Sequence, residues 1–262
     1  MHEQEATELG LRYTYKLVDL DRLSLGAEAL GEILTTAERM GFNGLNVTHP
    51  CKQSALFHLT ELSDEARAIG AVNTIVLRDG RRIGSNTDAS GFVKSFCRGL
   101  PGATLHHVAL LGAGGAGAAV AHALLQLGAE RLSIFDLELQ RAECLAAKLC
   151  ACFGNGRAFA EVDLEAAMAV ADGLVHATPT GMATHPGMPL PERLLCARTW
   201  VAEVVYFPLE TELLRAAKRR GCRILDGGGM AVFQAAEAFR LFTGIQPDAD
   251  RMRRHFISMG ER

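Results

Sequence analysis

Long hydrophobic runs and a strong excess of one charge are both missing from this chain of 262 residues. No apolar stretch approaches the roughly 18–20 residues of a membrane-spanning helix, which argues against a spanning segment. The acidic start of the sequence lacks the apolar core of a secretory leader, so we predict no signal peptide. A net charge of −3 gives no electrostatic basis for binding nucleic acid or an anionic membrane. We therefore expect a cytoplasmic protein that has neither nucleic acid nor membrane as a partner.

The cysteines follow no framework spacing. The seven cysteines form an odd set, and Cys150 and Cys152 point to different faces of a predicted helix. Structural thiols in a reducing compartment explain this pattern better than metal ligands do. The nine histidines form no HExxH motif and no cluster with cysteine, so we predict no metal site.

The composition is that of a globular protein, with 48% hydrophobic and 22% charged residues and no internal repeat. Its length suits one large or two ordinary domains of roughly 100–200 residues each. From residue 107 onward, short β-branched runs alternate with longer helical patterns, which indicates βαβ units. We predict strands at 107–111, 131–136, 173–177, 200–206 and 223–225, and helices at 116–127, 137–152, 212–220 and 231–242.

The first hundred residues alternate as well and predict a separate α/β unit. Strands are expected at 12–18, 44–47 and 72–77, and helices at 27–40 and 54–62. The join to the next unit is predicted near residues 100–102, Leu-Pro-Gly. The expected fold class is therefore α/β with two domains: an N-terminal α/β domain at 1–100 and a Rossmann-type dinucleotide-binding domain at 101–228, with 229–262 packing back on the first. Two such domains imply a cleft, where ligands usually bind.

A glycine-rich loop follows the apolar strand at 107–111 and precedes a helix, which is the context that a dinucleotide-binding motif requires. Its glycines let backbone N–H groups approach a pyrophosphate at a helix N-terminus. The alternative is a tight turn without a ligand. The expected cofactor-binding residues of this loop are Gly112, Ala113, Gly114, Gly115, Ala116 and Gly117.

Asp136 ends the second strand of this domain, 24 residues after Gly112. A carboxylate at this place accepts hydrogen bonds from the adenine ribose of NAD, and it repels the 2′-phosphate of NADP. Arg141 lies five residues later, where it could contact a 2′-phosphate or equally be a solvated helix residue. We therefore favour NAD as the cofactor and keep NADP as the alternative.

A polar, helix-breaking segment at 46–52, Asn-Val-Thr-His-Pro-Cys-Lys, ends in Lys52. A second polar turn, Asn86-Thr87-Asp88, begins 34 residues after Lys52. An amine and a carboxylate brought together in a cleft make a proton-transfer pair. A solvated lysine and a helix-capping aspartate explain each motif equally well on its own, because loops collect such residues. The dinucleotide motif that follows favours the functional interpretation.

Together these motifs resemble the shikimate dehydrogenase family over nearly the whole chain, and most closely its NAD-dependent quinate/shikimate dehydrogenases. The Asp136 pattern, His185-Pro186-Gly187 and the tail at 238–244 support that subfamily. The segments that resemble the family are 44–52, 70–74, 86–92, 177–182, 205–208 and Gln234 in the last predicted helix.

The resemblance implies an NAD(P)-dependent oxidoreductase. It would transfer a hydride reversibly between nicotinamide and the ring hydroxyl of shikimate or quinate, a small cyclic polyol carboxylate, with 3-dehydroshikimate or 3-dehydroquinate on the oxidised side. Lys52 would relay the hydroxyl proton, and Asp88 would orient the lysine, so these two form the catalytic pair. By the same resemblance, the substrate-binding residues would be Asn46, Thr48, Asn73, Asp88, Tyr206 and Gln234. On the nicotinamide side, the expected residues are Met182, Tyr206 and Gly229, and Thr178 is a further expected cofactor-binding residue.

Two features depart from the family pattern. In the family, a strand with a Ser-x-Ser or Ser-x-Thr motif, which binds the substrate carboxylate, precedes the residues that match Met1-His2-Glu3. We expect that the start codon was assigned too late, and the alternative is a degenerate or regulatory homologue. Glu203 stands where the family pattern has Asp.

Other functions stay open beside the favoured one. An NADP-dependent biosynthetic shikimate dehydrogenase, or an enzyme of an amino-shikimate analogue, would differ at the cofactor end or in its substrate. A non-catalytic NAD-binding homologue would have little need of Lys52 and Asp88. A methylene-tetrahydrofolate-type dehydrogenase shares the two-domain plan but ranks last, because the Asn73, Asn86 and Asp88 set suits polyols. The sequence separates neither quinate from shikimate nor a monomer from a homodimer.

Overall fold

The computed structural model describes residues 1–260, and contacts divide the chain into two compact units. The first unit comprises Met1–Thr87 and the chain from Val232 onward, and the second comprises Asp88–Ala231. The division after Thr87 lies earlier than the join predicted near residues 100–102. It does so because the helix that begins at Asp88 packs within the second unit.

The first unit has a small mixed sheet and several short helices. Its strands lie in the order β1-β3-β4-β2, and β3 and β4 form an antiparallel hairpin. The hairpin turn has positive φ at Asp79 and Gly80, as a tight two-residue turn requires. The elements are α1 (His2–Glu8), α2 (Leu20–Leu23), α3 (Leu30–Arg39), β1 (Gly44–Asn46), β2 (Glu61–Leu62), α4 (Asp64–Ile69), β3 (Thr74–Arg78) and β4 (Arg81–Ser85), with 3₁₀ turns at Ala27–Ala29 and Ser54–His58.

Two local predictions for this unit are wrong. Residues 12–18 were predicted as a strand, but they belong to no strand of the described chain. An alternating sequence pattern becomes a strand only where a neighbouring strand forms hydrogen bonds with it. Residues 54–62, predicted as one helix, form the 3₁₀ turn and then β2. Glu61 and Leu62 pair in parallel with Ile83 and Gly84, so a partner distant in sequence decides this strand.

The second unit contains the parallel sheet. Helix α10 (Gly227–Thr243) crosses the division between the units, and α11 (Ala249–Gly260) lies in the first unit. The other elements are α5 (Asp88–Gly99), β5 (His107–Leu111), α6 (Gly115–Gln126), β6 (Arg131–Phe135), α7 (Leu139–Phe153), β7 (Ala158–Ala160), α8 (Leu164–Val170), β8 (Gly173–His176), β9 (Trp200–Glu203), α9 (Glu212–Arg219) and β10 (Ile224–Leu225), with a 3₁₀ turn at Glu192–Leu194.

The strand order of this sheet is β10-β9-β8-β5-β6-β7, and every neighbouring pair is parallel. The chain runs outward from β5 to β7 and then returns to β8 on the other side of β5. This is the doubly wound dinucleotide-binding order, whose ligands bind beyond the carboxyl ends of the strands where the order reverses. That point lies after β5 and β8.

Helix α5 packs on the sheet of the second unit. Phe96 lies edge-on to Trp200 of β9, with ring centroids 5.0 Å apart. A Cβ on Gly99 would lie 2.4 Å from Leu225 Cδ1 of β10, so the helix approaches that strand closely. Apolar contact of this kind explains why α5 belongs with the residues after it.

In the first unit, α11 is tied to α1 by a buried carboxylate. Glu5 is 1% exposed, and it accepts hydrogen bonds from Arg251 Nε at 2.7 Å and Arg251 Nη2 at 2.6 Å. The backbone N–H of Asp248 donates to the same carboxylate at 2.7 Å.

None of the helices within residues 1–260 has the length and apolar character needed to cross a bilayer.

Candidate active site

The pairing of β1 with β3 places Asn46 directly opposite Thr74. Asn46 Nδ2 donates to Thr74 Oγ1 at 3.3 Å, and Asn46 Oδ1 accepts from the Tyr15 hydroxyl at 3.0 Å. Thr74 Oγ1 in turn donates to Asn73 Oδ1 at 3.0 Å. Strand register therefore gathers polar side chains that lie far apart in sequence.

Asn73 is the centre of this arrangement and is only 3% exposed. Its Oδ1 accepts from the Thr87 backbone N–H at 2.8 Å, and its Nδ2 donates to Thr87 Oγ1 at 2.9 Å. The same Nδ2 lies 3.4 Å from Gln234 Oε1. We call this set the polar row; its members are Tyr15, Asn46, Asn73, Thr74, Thr87 and Gln234. It brings three predicted substrate-binding residues together within one unit.

Thr48 and Lys52 lie on the loop that follows β1. Thr48 is exposed, and its carbonyl accepts from the Cys51 N–H at 2.8 Å, which closes a turn. Lys52 is half-buried, and its carbonyl accepts from the Val72 N–H at 2.8 Å, which ties the loop to the segment before β3. Burial raises the pKa of the Cys51 thiol, so that thiol stays protonated and is a poor nucleophile. Lys52 is therefore the better candidate for proton transfer in this loop.

Asp88 is the first residue of α5 and is 4% exposed. An acidic side chain in the first turn of a helix is favoured by the helix dipole. Such deep burial is unusual for a carboxylate that only caps a helix, because buried charges need specific partners. The predicted pairing of Lys52 with Asp88 stays a prediction.

The loop between β5 and α6 has the geometry of an anion cradle. Gly112 has φ +102°, and a Cβ on it would lie 2.7 Å from the Ala177 carbonyl oxygen. A Cβ on Gly117 would lie 2.0 Å from the Gly112 carbonyl oxygen, so both positions need glycine. A Cβ on Gly114, the N-cap of α6, would meet nothing within 4 Å. The open side at Gly114 suits a phosphate group at the helix N-terminus, so the residues present fit a dinucleotide.

The Asp136 carboxylate borders this cradle directly. Its Oδ2 accepts from the Ala113 N–H at 2.8 Å, and its Oδ1 accepts from the Glu138 N–H at 3.0 Å. Arg141 is exposed and forms an ion pair with Glu138 at 2.8 Å. Negative charge therefore lies next to the glycine loop, while the nearby guanidinium is engaged by a carboxylate.

Three other residues that the sequence predicts near the cofactor follow two neighbouring parallel strands. Thr178 and Met182 lie after β8, and Tyr206 lies after β9. Met182 is 40% exposed and Tyr206 is 52% exposed, so both side chains reach the surface of the protein. The loop after β8 is closed by a 2.6 Å hydrogen bond from the Gly181 N–H to the His185 carbonyl.

Gly229 lies in α10, and helix packing accounts for it. A Cβ there would lie 2.2 Å from Ser95 Oγ of α5, so a larger residue would push the helices apart. The predicted contact of Gly229 with the cofactor stays a prediction.

The arrangement of the His, Cys, Asp and Glu side chains bears on metal binding and on disulfide formation. Among residues 1–260, no group of three or more His, Cys, Asp or Glu side chains could hold a metal ion. All seven cysteines are free.

Comparison with known proteins identifies the family. A family model described as the shikimate dehydrogenase substrate binding domain matches residues 1–75, and one described as the shikimate 5′-dehydrogenase C-terminal domain matches residues 227–255. A shikimate dehydrogenase (NADP(+)) of Streptomyces avermitilis is 59% identical over 96% of this chain and 87% of that protein. The chain belongs to the shikimate dehydrogenase family.

Two further relatives are named with NAD instead of NADP. A quinate/shikimate dehydrogenase (NAD(+)) of Corynebacterium efficiens is 46% identical over 99% of this chain and 92% of that protein. The solved structure of quinate dehydrogenase from Corynebacterium glutamicum in complex with NAD has a TM-score of 0.89 and 44% identity, and the match covers 98% of this chain and 92% of that one.

Membership in the shikimate dehydrogenase family confirms several predictions from the sequence. The family itself, the two-part α/β fold and the class of oxidoreductase acting on CH–OH with NAD(P) are all confirmed. The choice between NAD and NADP and the exact substrate are not decided by these relatives, because their names differ in both.

The sequence interpretation left three members of the polar row out of the predicted site. Thr74 and Thr87 stand inside motifs that it used, but their side-chain roles depend on the β1–β3 register and on the turn before α5. Tyr15 lies in a segment with no motif, and its 3.0 Å contact with Asn46 connects it to the site.

Proposed function

We propose that this chain is an NAD-dependent quinate/shikimate dehydrogenase. It would catalyse reversible hydride transfer between the ring hydroxyl of shikimate or quinate and nicotinamide, forming 3-dehydroshikimate or 3-dehydroquinate in the oxidative direction. The observation that supports this most directly is the polar row, which places uncharged donors and acceptors together in the first unit. A polyol needs such partners, because each unpaired buried polar group costs about 1–3 kcal/mol.

The oxidative step requires one proton and one hydride to leave the alcohol. When bound, the nicotinamide cofactor accepts the hydride from the carbinol carbon. In our proposal Lys52 takes the hydroxyl proton as the carbonyl double bond forms, and Asp88 orients the lysine and binds a ring hydroxyl. Asn46, Thr48, Asn73 and Gln234 would hold the ring so that the reacting carbon is aligned, which is worth several orders of magnitude in rate.

The cofactor preference is argued from Asp136. Its carboxylate is fixed against the glycine loop by the 2.8 Å bond from the Ala113 N–H. At this place the carboxylate would bind the adenine ribose hydroxyls of NAD and would repel the 2′-phosphate of NADP. Arg141, the cation that could offset that repulsion, is paired with Glu138. Both features favour NAD over NADP.

A steady-state assay of the purified chain tests this proposal, with NAD and NADP each run against shikimate and quinate. We expect a lower KM for NAD than for NADP. Asp136→Asn keeps the size but removes the charge, so it should improve the use of NADP relative to NAD by about tenfold. A lower KM for NADP in the unchanged protein would contradict the NAD preference and favour an NADP-dependent shikimate dehydrogenase, the activity in the name of the Streptomyces relative.

The non-catalytic alternative has its own outcome in the same assay. NAD binding without turnover of either polyol would make the chain a cofactor-binding homologue.

The proposed location is the cytoplasm, because seven free thiols suit a reducing compartment.

A further inference from the structure

Two titratable side chains lie fully buried at the carboxyl edge of the parallel sheet, outside the residues assigned above. His176 ends β8 and Glu203 ends β9, and the strand register pairs them directly. Neither side chain has any exposed surface, and His176 Nδ1 lies 2.9 Å from Glu203 Oε1. We call these residues the His176–Glu203 pair.

The glutamate side of the pair holds the segment that leads to Tyr206. Glu203 Oε1 accepts from the backbone N–H groups of Val204 at 2.9 Å and Val205 at 3.0 Å. Glu203 Oε2 accepts from the Thr211 hydroxyl at 3.1 Å, and Thr211 also caps α9. The carboxylate thus fixes the loop at residues 204–211 at both of its ends.

The histidine side holds the loop at residues 177–182. His176 Nε2 lies 2.5 Å from Thr178 Oγ1, and the Thr180 N–H donates to that same oxygen at 3.3 Å. Since a carboxylate only accepts, the proton between the pair belongs to His176 Nδ1. His176 Nε2 and the Thr178 hydroxyl share the other bond of the ring, and the Thr178 oxygen also accepts from the Thr180 N–H.

The two loops also contact each other. A Cβ on Gly181 would lie 3.5 Å from Thr211 Cβ, and Thr211 is the residue that Glu203 binds. The pair and Thr211 therefore connect the loop that carries Thr178 and Met182 with the loop that carries Tyr206.

Core packing alone does not explain this arrangement. Burying two ionisable groups is costly, and apolar residues of similar volume fill a core at least as well. Apart from their mutual bond, the hydrogen bonds described here all end on the two loops or on the cap of α9.

We infer that the His176–Glu203 pair positions the nicotinamide end of the cofactor site. It does so by fixing the Thr178 hydroxyl and the 204–205 backbone, on loops whose Met182 and Tyr206 side chains are open. The inference rests on the proposed dehydrogenase function. Both members act through other groups, so they are positioning residues.

Three single variants and one double variant test the inference, with binding of NAD and of ADP-ribose measured by calorimetry beside kcat and KM. Glu203→Gln keeps the shape but removes the charge, and it replaces one of the two acceptor oxygens that bind His176, Val204, Val205 and Thr211 with an amide donor. Thr178→Val removes the hydroxyl that His176 holds, and Thr178→Ser is its matched control. We expect the first two to lower kcat/KM for NAD by about 10- to 100-fold, with ADP-ribose affinity within about twofold of the original.

Thr178→Ser, which restores the hydroxyl, should recover most of the kcat/KM that Thr178→Val loses. The Glu203→Gln/Thr178→Val double variant should be little worse than either single one, because both weaken the same chain of hydrogen bonds. Equal behaviour of the Val and Ser variants would overturn the inference. So would a parallel loss of NAD affinity, ADP-ribose affinity and stability, which would assign the pair to the core.

The binding measurements do not depend on turnover. If the unchanged protein binds NAD but oxidises neither polyol, the proposed function fails, while the difference between NAD and ADP-ribose binding still decides the role of the pair. If Glu203→Gln does not fold, the two Thr178 variants decide it.

Discussion

A single buried amide, that of Asn73, bonds to three other members of the polar row. It bonds to Thr74, Thr87 and Gln234, and thereby holds the end of β3, the turn before α5 and a side chain of α10 together. A side chain held by several bonds is rigid, and rigid contacting residues are what the proposed polyol site needs.

Lys52 is the residue on which the proposed chemistry depends most. Lys52→Ala should lower kcat by about 10²–10⁴-fold, because it removes the group that accepts the hydroxyl proton. The dissociation constant of NAD should not change, since in our proposal the glycine loop, and not Lys52, binds the cofactor. Steady-state kinetics and calorimetry measure the two quantities, with Lys148→Ala on the exposed face of α7 as the matched control. Near-normal turnover in Lys52→Ala would remove Lys52 from the mechanism.

At the scale of elements, the strand–loop–helix from β5 to α6 depends on two glycines for different reasons. Gly117 faces the backbone, where a Cβ would lie 2.0 Å from the Gly112 carbonyl oxygen. Gly114 faces open space at the start of α6. The first glycine serves the packing of the helix on the loop, and we propose that the second serves the ligand.

Gly117→Ala and Gly114→Ala should therefore separate stability from cofactor binding. Gly117→Ala should lower the free energy of unfolding by about 1–3 kcal/mol, because backbone must move to admit the methyl group. Gly114→Ala should leave that free energy nearly unchanged but weaken NAD binding. Urea unfolding and calorimetric titration measure both. Equal destabilisation by the two variants would contradict this division of roles.

At the scale of the whole molecule, the first unit is built from both ends of the described chain. The Glu5–Arg251 pair and the contact of Met1 with the cluster at Val232, Ala236 and Met252 bring α1 to the C-terminal helices. Loop closure over such a separation is entropically costly, so buried contacts must offset it.

Acidification should weaken the first unit through His2. This side chain is 8% exposed and lies 4.8 Å from the Tyr15 ring centroid, and burial lowers the pKa of His2 from 6.5 to about 4. A lowered pKa means that the unfolded chain binds the proton more tightly. The contribution of His2 to the free energy of unfolding is therefore complete above pH 6.5 and shrinks as the pH falls towards 4. It amounts to about 3 kcal/mol at most.

Urea unfolding at pH 7, 5.5 and 4.5 measures this contribution. We expect His2→Phe, which retains a stacked ring but cannot titrate, to flatten the decline in stability between pH 6.5 and 4. His49→Phe, at an exposed position of the same unit, is the control. An unchanged pH dependence in His2→Phe would show that other groups cause the decline.

The sequence by itself determined the dinucleotide half of this protein. The apolar strand at His107–Leu111, the glycines and the helix after them form a local pattern in which each residue is close to its structural partners along the chain. Strong short-range periodicity of that kind identifies elements reliably, and the motif residues near Lys52, Asn73 and Asp88 carried the family resemblance.

Only the tertiary structure decided which side chains meet. The polar row depends on the antiparallel register of β1 and β3, and the His176–Glu203 pair depends on the parallel register of β8 and β9. Residues 12–18 carry a strand pattern but form no strand, while Glu61 and Leu62 form one inside a predicted helix. The physical reason is the same throughout: strands and their side-chain neighbours exist through hydrogen bonds to distant segments, and a local pattern does not specify those partners.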